Sequence, residues 1–299
     1  MIQALDELPP LPALAVIINC GTRWFTSLAL ASAHRTGLPL LVIDCESRDG
    51  SRDHLARLSE HHGIDFYWLD WPLRTHGLTL DALFRNSTAE TLLLVDSDVE
   101  IEDPLTVRRM IEALDAAPAS YGAGFIHAAE WMGAKHGVAE GVGFYAERMW
   151  IPLTLLRTRA VQAALAGGAS FVQMRRFTEF PHWPRLSRWL GLRFFLPIVN
   201  RWQARRLAEA KRPVFHEYDT GARMHSVLLG LGYGFVALPG EMWATVYHYH
   251  GVTRASFRWS RQKIAERLGF VNRSSRVQLR QGELDAKHRL ARYGIEMET

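Results

Sequence analysis

The sequence contains little lysine. Only four of its 35 basic residues are lysines, at positions 135, 211, 263 and 287, so arginine supplies most of the positive charge. Arginine binds phosphate through a planar fork, which suits a phosphate-rich ligand or an anionic surface, although codon bias in a GC-rich genome explains the excess equally well. A formal net charge of +4 over 299 residues is a mild basic excess and does not predict a nucleic-acid-binding protein.

Cysteines and long apolar runs are also scarce. The two cysteines, Cys20 and Cys45, show no metal-type spacing, and reduced thiols in a cytosolic protein are the simplest interpretation. No stretch reaches the roughly 18 uninterrupted apolar residues of a membrane-spanning helix, and the N-terminus lacks the basic and apolar regions of a secretory signal. We therefore expect a cytoplasmic protein, either soluble or attached peripherally to the inner face of the membrane.

The first half of the chain alternates strand-like and helix-like segments. Apolar runs predict four strands, at residues 13–19, 39–45, 64–70 and 91–95. Amphipathic segments between the strands predict three helices, at residues 24–37, 51–63 and 78–90. This alternation predicts an α/β protein with a mainly parallel sheet covered by helices on both faces. Ligands of such sheets bind beyond the carboxyl ends of the strands, where Asn19, Asp44 and Asp96 lie.

The second half is less regular. Residues 121–149 are rich in glycine, histidine and aromatic residues, which predicts loops with short strands, and residues 150–165 predict a strand that enters a helix. Residues 181–212 mix tryptophan, phenylalanine and arginine. They indicate either helices that lie on a membrane surface or an acceptor, or a helical insertion packed on the core. The charged segment 256–299 predicts a C-terminal helical tail.

Two aspartates follow the fourth predicted strand, in the stretch TLLLVDSDVEIEDP. Residues i and i+2 of an extended backbone point to the same face, so Asp96 and Asp98 are expected to project together while Ser97 points away. Two adjacent carboxylates repel each other unless a cation lies between them and an anionic ligand. The alternative is a solvated acidic turn before the next helix, although Asp103 already provides an N-cap for that helix.

The segments IDCESRDGS (43–51) and LFRNSTAETLLLVDSD (83–98) resemble the nucleotide-binding half of family two glycosyltransferases, which have a GT-A fold. The resemblance implies a Rossmann-like α/β sheet and a metal-dependent, inverting transfer of a sugar from a nucleotide-diphosphate sugar to a hydroxyl group. It implies Mn²⁺ or Mg²⁺ as the cofactor. The predicted units are a GT-A domain (1–255) with a nucleotide-binding half (13–115) and an acceptor half (116–255) containing the insertion 181–212, followed by the helical tail (256–299).

The resemblance also implies roles for individual residues. The donor-binding residues would be Asn19, Asp44, Glu46, Asp49, Arg85, Asp96 and Arg254. Glu46 departs from the family pattern, in which glycine is usual at that position. The metal ligands would be Asp98 and Asp96, together with a late histidine in VYHYHGVTR. For that histidine we choose His250 over His248, because a glycine follows it.

A general base is expected in the segment HEYDTG, which precedes a predicted helix. The segment resembles the acidic motif in which inverting members of the family keep their base, and a base must lie within hydrogen-bond reach of the acceptor hydroxyl. We favour Asp219, with Glu217 as the alternative. An N-cap role for Asp219 explains the sequence equally well.

The resemblance implies a role in the synthesis of cell-surface polysaccharide or glycolipid, with no nucleic acid partner. The arginines and tryptophans near residues 183–206 indicate a saccharide or lipid-linked acceptor. Arginines and tryptophans at residues 183–206 indicate a peripheral membrane contact. A nucleotidyltransferase is an alternative function, but the loop NCGTRWF has one glycine, whereas such enzymes usually have a glycine-rich, basic phosphate loop. A catalytically silent nucleotide-sugar-binding module is a second alternative.

Overall fold

The computed structural model describes residues 1–135, 137, 143–178, 206, 209, 212–249 and 273–295. The predicted insertion, residues 181–212, lies outside the described residues except for Arg206, Glu209 and Arg212. Two predicted site residues, His250 and Arg254, also lie outside them.

Strands and helices alternate along most of the described chain. The strands of the central sheet are β1 (Ala13–Asn19), β2 (Leu40–Cys45), β3 (Tyr67–Trp71), β4 (Thr91–Asp96), β6 (Ser120–His127), β8 (Arg148–Arg157) and β11 (Gly234–Ala237). The other described strands are β5 (Val99–Ile101), β7 (Gly143–Tyr145), β9 (Met174–Phe177), β10 (Phe215–Tyr218) and β12 (Val246–His248). The described α-helices are α1 (Arg23–His34), α2 (Ser51–His62), α3 (His76–Asn86), α4 (Leu105–Asp115), α5 (Ala129–Lys135), α6 (Thr158–Ala166), α7 (Ala222–Gly230) and α8 (Arg273–Leu290).

The central sheet has the strand order β11-β6-β8-β4-β1-β2-β3. Strand β8 runs antiparallel to β4 and β6, and the other neighbouring pairs are parallel. The order β3-β2-β1-β4 is that of the first four strands of a dinucleotide-binding fold, in which ligands bind outside the carboxyl ends where the strand order reverses. In this chain that position lies between β1 and β4. The predicted α/β class and mainly parallel sheet are confirmed, and β6, β8 and β11 of the predicted acceptor half belong to the same sheet.

Two apolar layers cover the two faces of the sheet. Strand β1 contributes Ala15 and Ile17 to one layer and Leu14 and Val16 to the other, because successive side chains of a strand point to opposite faces. Helices α1, α2, α4 and α8 pack on the first face, and α3, α6 and α7 pack on the second. An all-apolar strand is typical of a sheet that is buried on both faces. The predicted covering of both faces by helices is confirmed.

Strand β6 corrects one prediction. Residues 121–149 are expected to form loops with short strands, but Ser120–His127 form an eight-residue strand inside the central sheet. A Cβ atom added to Gly122 would lie 2.7 Å from the carbonyl oxygen of Leu155 in β8. Glycine therefore marks a close approach of two strands here, and its abundance does not indicate a loop.

The C-terminal helix α8 packs on α1. Ala286 and Leu290 of α8 are fully buried in the first apolar layer. Gly282 brings the α8 backbone close to Phe25, since an added Cβ atom would lie 3.2 Å from its ring. In its described portion, the predicted C-terminal helical tail is therefore an integral part of the core. Among the helices that the structure describes, none combines the length and the apolar character needed to cross a bilayer.

Burial of His54 in α2 is expected to make stability depend on pH. Burial, reinforced by the nearby positive charges of Arg23 and Arg57, lowers the pKa of His54 to about 4. In the unfolded chain the pKa of histidine is about 6.5, so between these values the unfolded state binds more protons than the folded state. The free energy of unfolding is therefore expected to fall by about 1–2 kcal/mol between pH 7 and pH 5 from this group alone.

Urea denaturation at both pH values, with the wild type and His54→Gln, measures this contribution. Glutamine retains an amide that can hydrogen-bond to Ser27, whose hydroxyl lies 2.9 Å from Nε2 of His54, but it does not titrate. The variant is expected to lose less stability than the wild type on acidification. Equal losses in the two proteins would contradict the prediction.

Candidate active site

Polar side chains end three adjacent strands at one edge of the sheet. Asn19 of β1 pairs in register with Asp44 of β2, and Ile18 of β1 pairs with Asp96 of β4. The three strands are parallel, so their carboxyl ends meet at the same edge. The structure thus brings Asn19, Asp44 and Asp96 together where ligands of such sheets bind.

Asn19 is fully buried and holds this edge together. Its amide nitrogen donates to Oδ1 of Asp44 at 2.6 Å and to Oγ of Ser47 at 3.0 Å. Its amide oxygen accepts hydrogen bonds from the hydroxyls of Thr22, at 3.0 Å, and Thr26, at 2.8 Å. Through these hydrogen bonds Asn19 positions Asp44 and Ser47 at the sheet edge. Its predicted donor-binding role stays a prediction.

Asn19→Ala is expected to lower the free energy of unfolding by about 2–3 kcal/mol, because it leaves buried polar groups without their partners. Urea denaturation of the purified variant measures the change. A matched control is Asn86→Ala at the exposed end of α3, where the amide donates one hydrogen bond to the carbonyl of Ala82. The control is expected to stay within about 0.5 kcal/mol of the wild type. Equal effects of the two substitutions would show that the buried network is not stabilising.

Asp44 and Asp49 anchor the loop that follows β2. Oδ2 of Asp44 accepts a hydrogen bond from the backbone N–H of Ser47 at 3.0 Å. Asp49 accepts from the backbone N–H groups of Arg23, at 2.9 Å, and Ser51, at 3.1 Å. These are the first residues of α1 and α2, so one carboxylate satisfies free N–H groups at the N-termini of both helices. Both aspartates therefore shape the loop at the sheet edge.

Glu46 lies between them in a left-handed backbone conformation. Its φ angle is 55°, a region that glycine enters readily and that costs other residues about 1–2 kcal/mol. Glycine is usual at this position in the resembled family, and its tolerance of positive φ angles matches the backbone conformation of this loop. Glu46 is exposed, so its carboxylate is accessible at the sheet edge.

The turn between β4 and β5 is tied to the loop after β1. The hydroxyls of Thr22 and the buried Ser97 are hydrogen-bonded to each other, with their oxygens 3.0 Å apart. Ser97 thus faces Thr22, as expected if it points away from the two aspartates that flank it. The side chain of Asp96 is 25% exposed, whereas that of Asp98 is 5% exposed.

A histidine lies beside each aspartate. Nε2 of His76, the first residue of α3, lies 3.6 Å from Oδ1 of Asp96. Nε2 of His248 in β12 lies 3.4 Å from Oδ1 of Asp98. The pKa of Asp96 is raised above its usual value, mainly by burial and also by the charge of Asp98. His76, His248 and Arg148 act in the opposite direction. The two carboxylates, two imidazoles and one guanidinium therefore influence one another electrostatically.

Asp96 and Asp98 fit a divalent cation that is shared with phosphate. Among the described residues, no group of three or more histidine, cysteine, aspartate and glutamate side chains forms a metal site. Mg²⁺ is usually held by one or two carboxylates together with substrate phosphates and water, so a complete protein cage is not required. Two carboxylates at a strand end would supply those protein ligands. His248 is the histidine beside Asp98 in the described chain, while the predicted ligand His250 lies outside it.

Asp219 directly follows β10 and forms an ion pair with Arg148. Nη2 of Arg148 lies 3.1 Å from Oδ2 of Asp219, and the two side chains are 12% and 21% exposed. Burial lowers the pKa of Arg148, and Asp219 and Asp96 both raise it, so the guanidinium interacts with both carboxylates. The N-cap of α7 is Gly221, and no side chain accepts a capping hydrogen bond there. Asp219 is therefore not the N-cap of this helix, and its role as a base stays a prediction.

Glu217, two residues earlier in β10, is already paired. Nε of Arg175 donates to its Oε2 at 2.6 Å, and Nε2 of Gln173 donates to its Oε1 at 2.7 Å. The side chain is buried in the small sheet formed by β7, β10 and β9. Both carboxylate oxygens are occupied by the adjacent strand segment. Asp219 is the more accessible of the two candidate bases.

Arg85 does not lie at this edge of the sheet. It belongs to the last turn of α3, which ends shortly before β4 begins at Thr91, whereas Asp96 ends β4. A strand rises about 3.3 Å per residue, so the two ends of β4 are roughly 16 Å apart. The structure therefore does not bring Arg85 to the predicted diphosphate site. His76, at the opposite end of the same helix, lies there instead.

The C-terminal helix braces the strands that follow the paired aspartates. Strands β5 and β12 pair antiparallel, and the backbone N–H of Tyr249 donates to the carbonyl oxygen of Asp98 at 2.9 Å. Nη1 of Arg289 in α8 lies 2.7 Å from Oε2 of Glu100 in β5. The guanidinium carbon of Arg289 lies 3.7 Å from the ring centroid of Tyr247 in β12. One arginine thus contacts both strands of the ribbon that begins at Asp98.

Comparisons with known proteins give structural similarities only. No protein-family model and no curated protein sequence matches the chain. The chain is similar to mannosyltransferase PcManGT from Pyrobaculum calidifontis in complex with GDP-Man and Mn²⁺, with a TM-score of 0.47 and 14% identity over 96% of this chain and 78% of that one.

Two further solved structures are similar over about half of this chain. One is S. aureus TarS 1–349 in complex with UDP-GlcNAc, with a TM-score of 0.37 and 15% identity over 54% of this chain and 49% of that one. The other is 4-diphosphocytidyl-2C-methyl-D-erythritol synthase from Anaerococcus prevotii, with a TM-score of 0.38 and 10% identity over 53% of this chain and 76% of that one. This chain thus spans about half the length of the TarS fragment.

Proposed function

We propose that the chain is a metal-dependent glycosyltransferase, which transfers a sugar from a nucleotide-diphosphate sugar to a hydroxyl acceptor with inversion at the anomeric carbon. The observation that carries the proposal is the position of Asp96 and Asp98. They lie at the carboxyl end of β4, beside the point between β1 and β4 where the strand order reverses. A pair of carboxylates at this position serves to bind a cation and, through it, an anionic ligand.

In this proposal Asp96 and Asp98 would hold Mn²⁺ or Mg²⁺ at the site of the donor diphosphate. A divalent cation, when bound, neutralises charge on the diphosphate leaving group. Arg148 is placed to assist, since its Nε is buried and has no hydrogen-bond partner among the described residues. The charge of Arg148 also lowers the pKa of Asp96. The chain therefore offers both carboxylates and a cationic side chain to the donor phosphates.

Asp219 is the proposed general base. Its carboxylate accepts the proton of the acceptor hydroxyl while the acceptor oxygen forms a bond to the anomeric carbon. The bond from that carbon to the phosphate oxygen breaks, and its electron pair leaves with the nucleoside diphosphate. The ion pair with Arg148 fixes the orientation of the carboxylate. Holding two bound reactants in the correct orientation accounts for much of the rate acceleration of such a displacement.

Asp219→Asn is expected to lower the rate of sugar transfer by roughly 10²- to 10⁴-fold, because asparagine retains the size of the side chain but does not accept the proton. Affinity for the nucleoside diphosphate is expected to change little. Steady-state kinetics and calorimetry on the same preparation separate the two effects. Glu217→Gln is the matched control, and it is expected to retain more activity because Glu217 is bound by Arg175 and Gln173. A greater loss in the control would move the base to Glu217.

The reaction type is tested by incubating the protein and Mn²⁺ with a panel of UDP- and GDP-sugars and saccharide acceptors. The proposal predicts release of nucleoside diphosphate that depends on both the cation and the acceptor. Release of pyrophosphate from a nucleoside triphosphate and a sugar phosphate would instead identify a nucleotidyltransferase. Donor binding without turnover of any donor in the panel would identify a silent binding module.

A further inference from the structure

An aromatic surface adjoins the candidate active site. Trp243, in the turn that follows β11, stacks on Phe125 with ring centroids 4.0 Å apart and contacts Trp150 at 4.7 Å. His127 at the end of β6 lies 4.2 Å from the ring of Trp131 in α5 and 5.8 Å from that of Trp243. We refer to Trp131, His127 and Trp243 as the aromatic platform. It begins where β6 and β11 end, at the carboxyl edge of the sheet.

The two tryptophans of the platform are exposed although their neighbours are not. Trp131 is 46% exposed and Trp243 is 37% exposed, whereas Phe125, His127 and Trp150 are buried. Each tryptophan packs on a buried ring, so contacts with the core hold its side chain in place. Exposed aromatic faces that are held rigidly beside a polar site are typical of ligand-binding surfaces.

One end of the platform reaches the paired aspartates. Trp150, which is packed against Trp243, lies 5.5 Å from the ring of His248. His248 in turn lies 3.4 Å from Asp98. A ligand resting on Trp243 is therefore near the proposed position of the donor diphosphate.

The other end of the platform reaches the proposed base. Nζ of Lys135 lies 4.7 Å from the ring centroid of Trp131. His127 of the platform pairs in register with Arg148 of β8, and Nη2 of Arg148 lies 3.1 Å from Oδ2 of Asp219. The platform thus extends from the neighbourhood of Asp219 to that of Asp98.

Saccharides have the chemistry that such a surface recognises. A pyranose ring presents C–H groups on its faces and hydroxyl groups at its rim. The faces pack on flat aromatic rings, while the hydroxyls hydrogen-bond to charged and polar side chains around them. Lys135 supplies such a group beside Trp131, and the Arg148–Asp219 pair adjoins His127. A purely apolar occupant has no hydroxyl groups to hydrogen-bond with these charged side chains.

We propose that Trp131 and Trp243 form the acceptor subsite, and that they bind a pyranose ring of a saccharide acceptor through its C–H face. This inference rests on the proposed glycosyl transfer and names the class of acceptor and the residues that bind it. The acceptor hydroxyl then lies between the platform and Asp219.

Ligand-observed saturation-transfer NMR tests the subsite, since it detects binding without relying on tryptophan emission. The probes are methyl glycosides of glucose, galactose, mannose and N-acetylglucosamine, with Mn²⁺ and UDP or GDP present or absent. Trp131→Ala and Trp243→Ala are each expected to weaken glycoside binding about tenfold or more. The matched control is Leu231→Ala, an exposed apolar residue at the other end of α7 from Asp219. It is expected to bind glycosides as the wild type does.

The outcomes separate the subsite from the donor site. Loss of glycoside binding with retained nucleotide binding in both tryptophan variants supports the subsite. Glycoside binding that is absent in the wild type, or unchanged in both variants, overturns it, even if UDP or GDP binds with Mn²⁺. Glycoside binding at the platform without any nucleotide binding would leave the subsite standing and contradict the proposed transfer. With octyl β-D-glucopyranoside, saturation of the octyl chain in place of the ring would indicate a lipid surface and overturn the proposal.

Discussion

Asp98→Asn is expected to reduce sugar transfer by at least about 100-fold and to abolish the cation dependence of nucleotide binding. A metal ion contributes several kcal/mol of charge stabilisation to such a transition state, and 1.4 kcal/mol corresponds to a factor of ten in rate. Asparagine preserves the volume of this buried side chain, so the substitution removes charge and a metal ligand without opening a cavity. Steady-state kinetics with Mn²⁺, and calorimetric titration with UDP and GDP, measure the two effects.

Asp103→Asn provides the matched control, because Asp103 lies in the same acidic stretch but its carboxylate binds the backbone at the start of α4. Its Oδ1 accepts a hydrogen bond from the backbone N–H of Leu105 at 2.9 Å, and asparagine caps helices as well as aspartate does. The control is expected to retain activity and cation dependence. Unchanged cation dependence in Asp98→Asn would contradict the assignment of Asp98 as a ligand.

Arg289→Met is expected to lower the free energy of unfolding by about 3–5 kcal/mol, the usual cost of removing one partner from a buried ion pair. Glu100 is 1% exposed, and its carboxylate is compensated by Arg289, at 2.7 Å, and by the hydroxyl of Tyr293, at 2.8 Å. Without the arginine, a buried negative charge remains with one neutral donor. Urea denaturation of the wild type and the variant measures the loss.

Two further variants test the cause of this loss. Arg292→Met removes an exposed arginine that lies 3.8 Å from Glu102, and it is expected to change stability by less than about 1 kcal/mol. Glu100→Gln combined with Arg289→Met is expected to recover part of the loss, because no buried charge is then left unpaired. Equal losses in the single and double variants would show that packing of the arginine stem, and not its charge, stabilises the ribbon.

Local sequence patterns were sufficient to predict the elements that build the sheet edge. Strand β1 is apolar over its whole length and ends in Asn19, and β4 ends in Asp96 in the same way. A strand buried on both faces needs an uninterrupted run of apolar residues. The polar residue at the end of that run marks where the sheet meets solvent. The predicted strand at 64–70 begins later, at Tyr67, because the preceding residues belong to the connection from α2.

Local sequence patterns did not predict the residues that reach the site through tertiary contacts. His76 and Arg148 reach the site from α3 and β8, and neither lies in a segment with a motif. The direction of α3 gave a usable signal, since a helix that precedes a parallel strand begins at the carboxyl edge of the sheet. That direction also places Arg85 at the far edge. Glu100 and Arg289 are 189 residues apart in sequence, so no local pattern relates them.

The proposed donor site is tested most directly by the melting temperature of the wild type and Asp98→Asn with UDP or GDP, each with Mn²⁺ or with a chelator. A ligand that binds only the folded state at 100 times its Kd stabilises it by about 2.7 kcal/mol, which raises the melting temperature by several degrees. We predict that at least one nucleoside diphosphate does so for the wild type with Mn²⁺, and does not with the chelator or with Asp98→Asn. No increase with either nucleotide, or the same increase in the variant and with the chelator, would contradict a cation-dependent nucleotide site at Asp96 and Asp98.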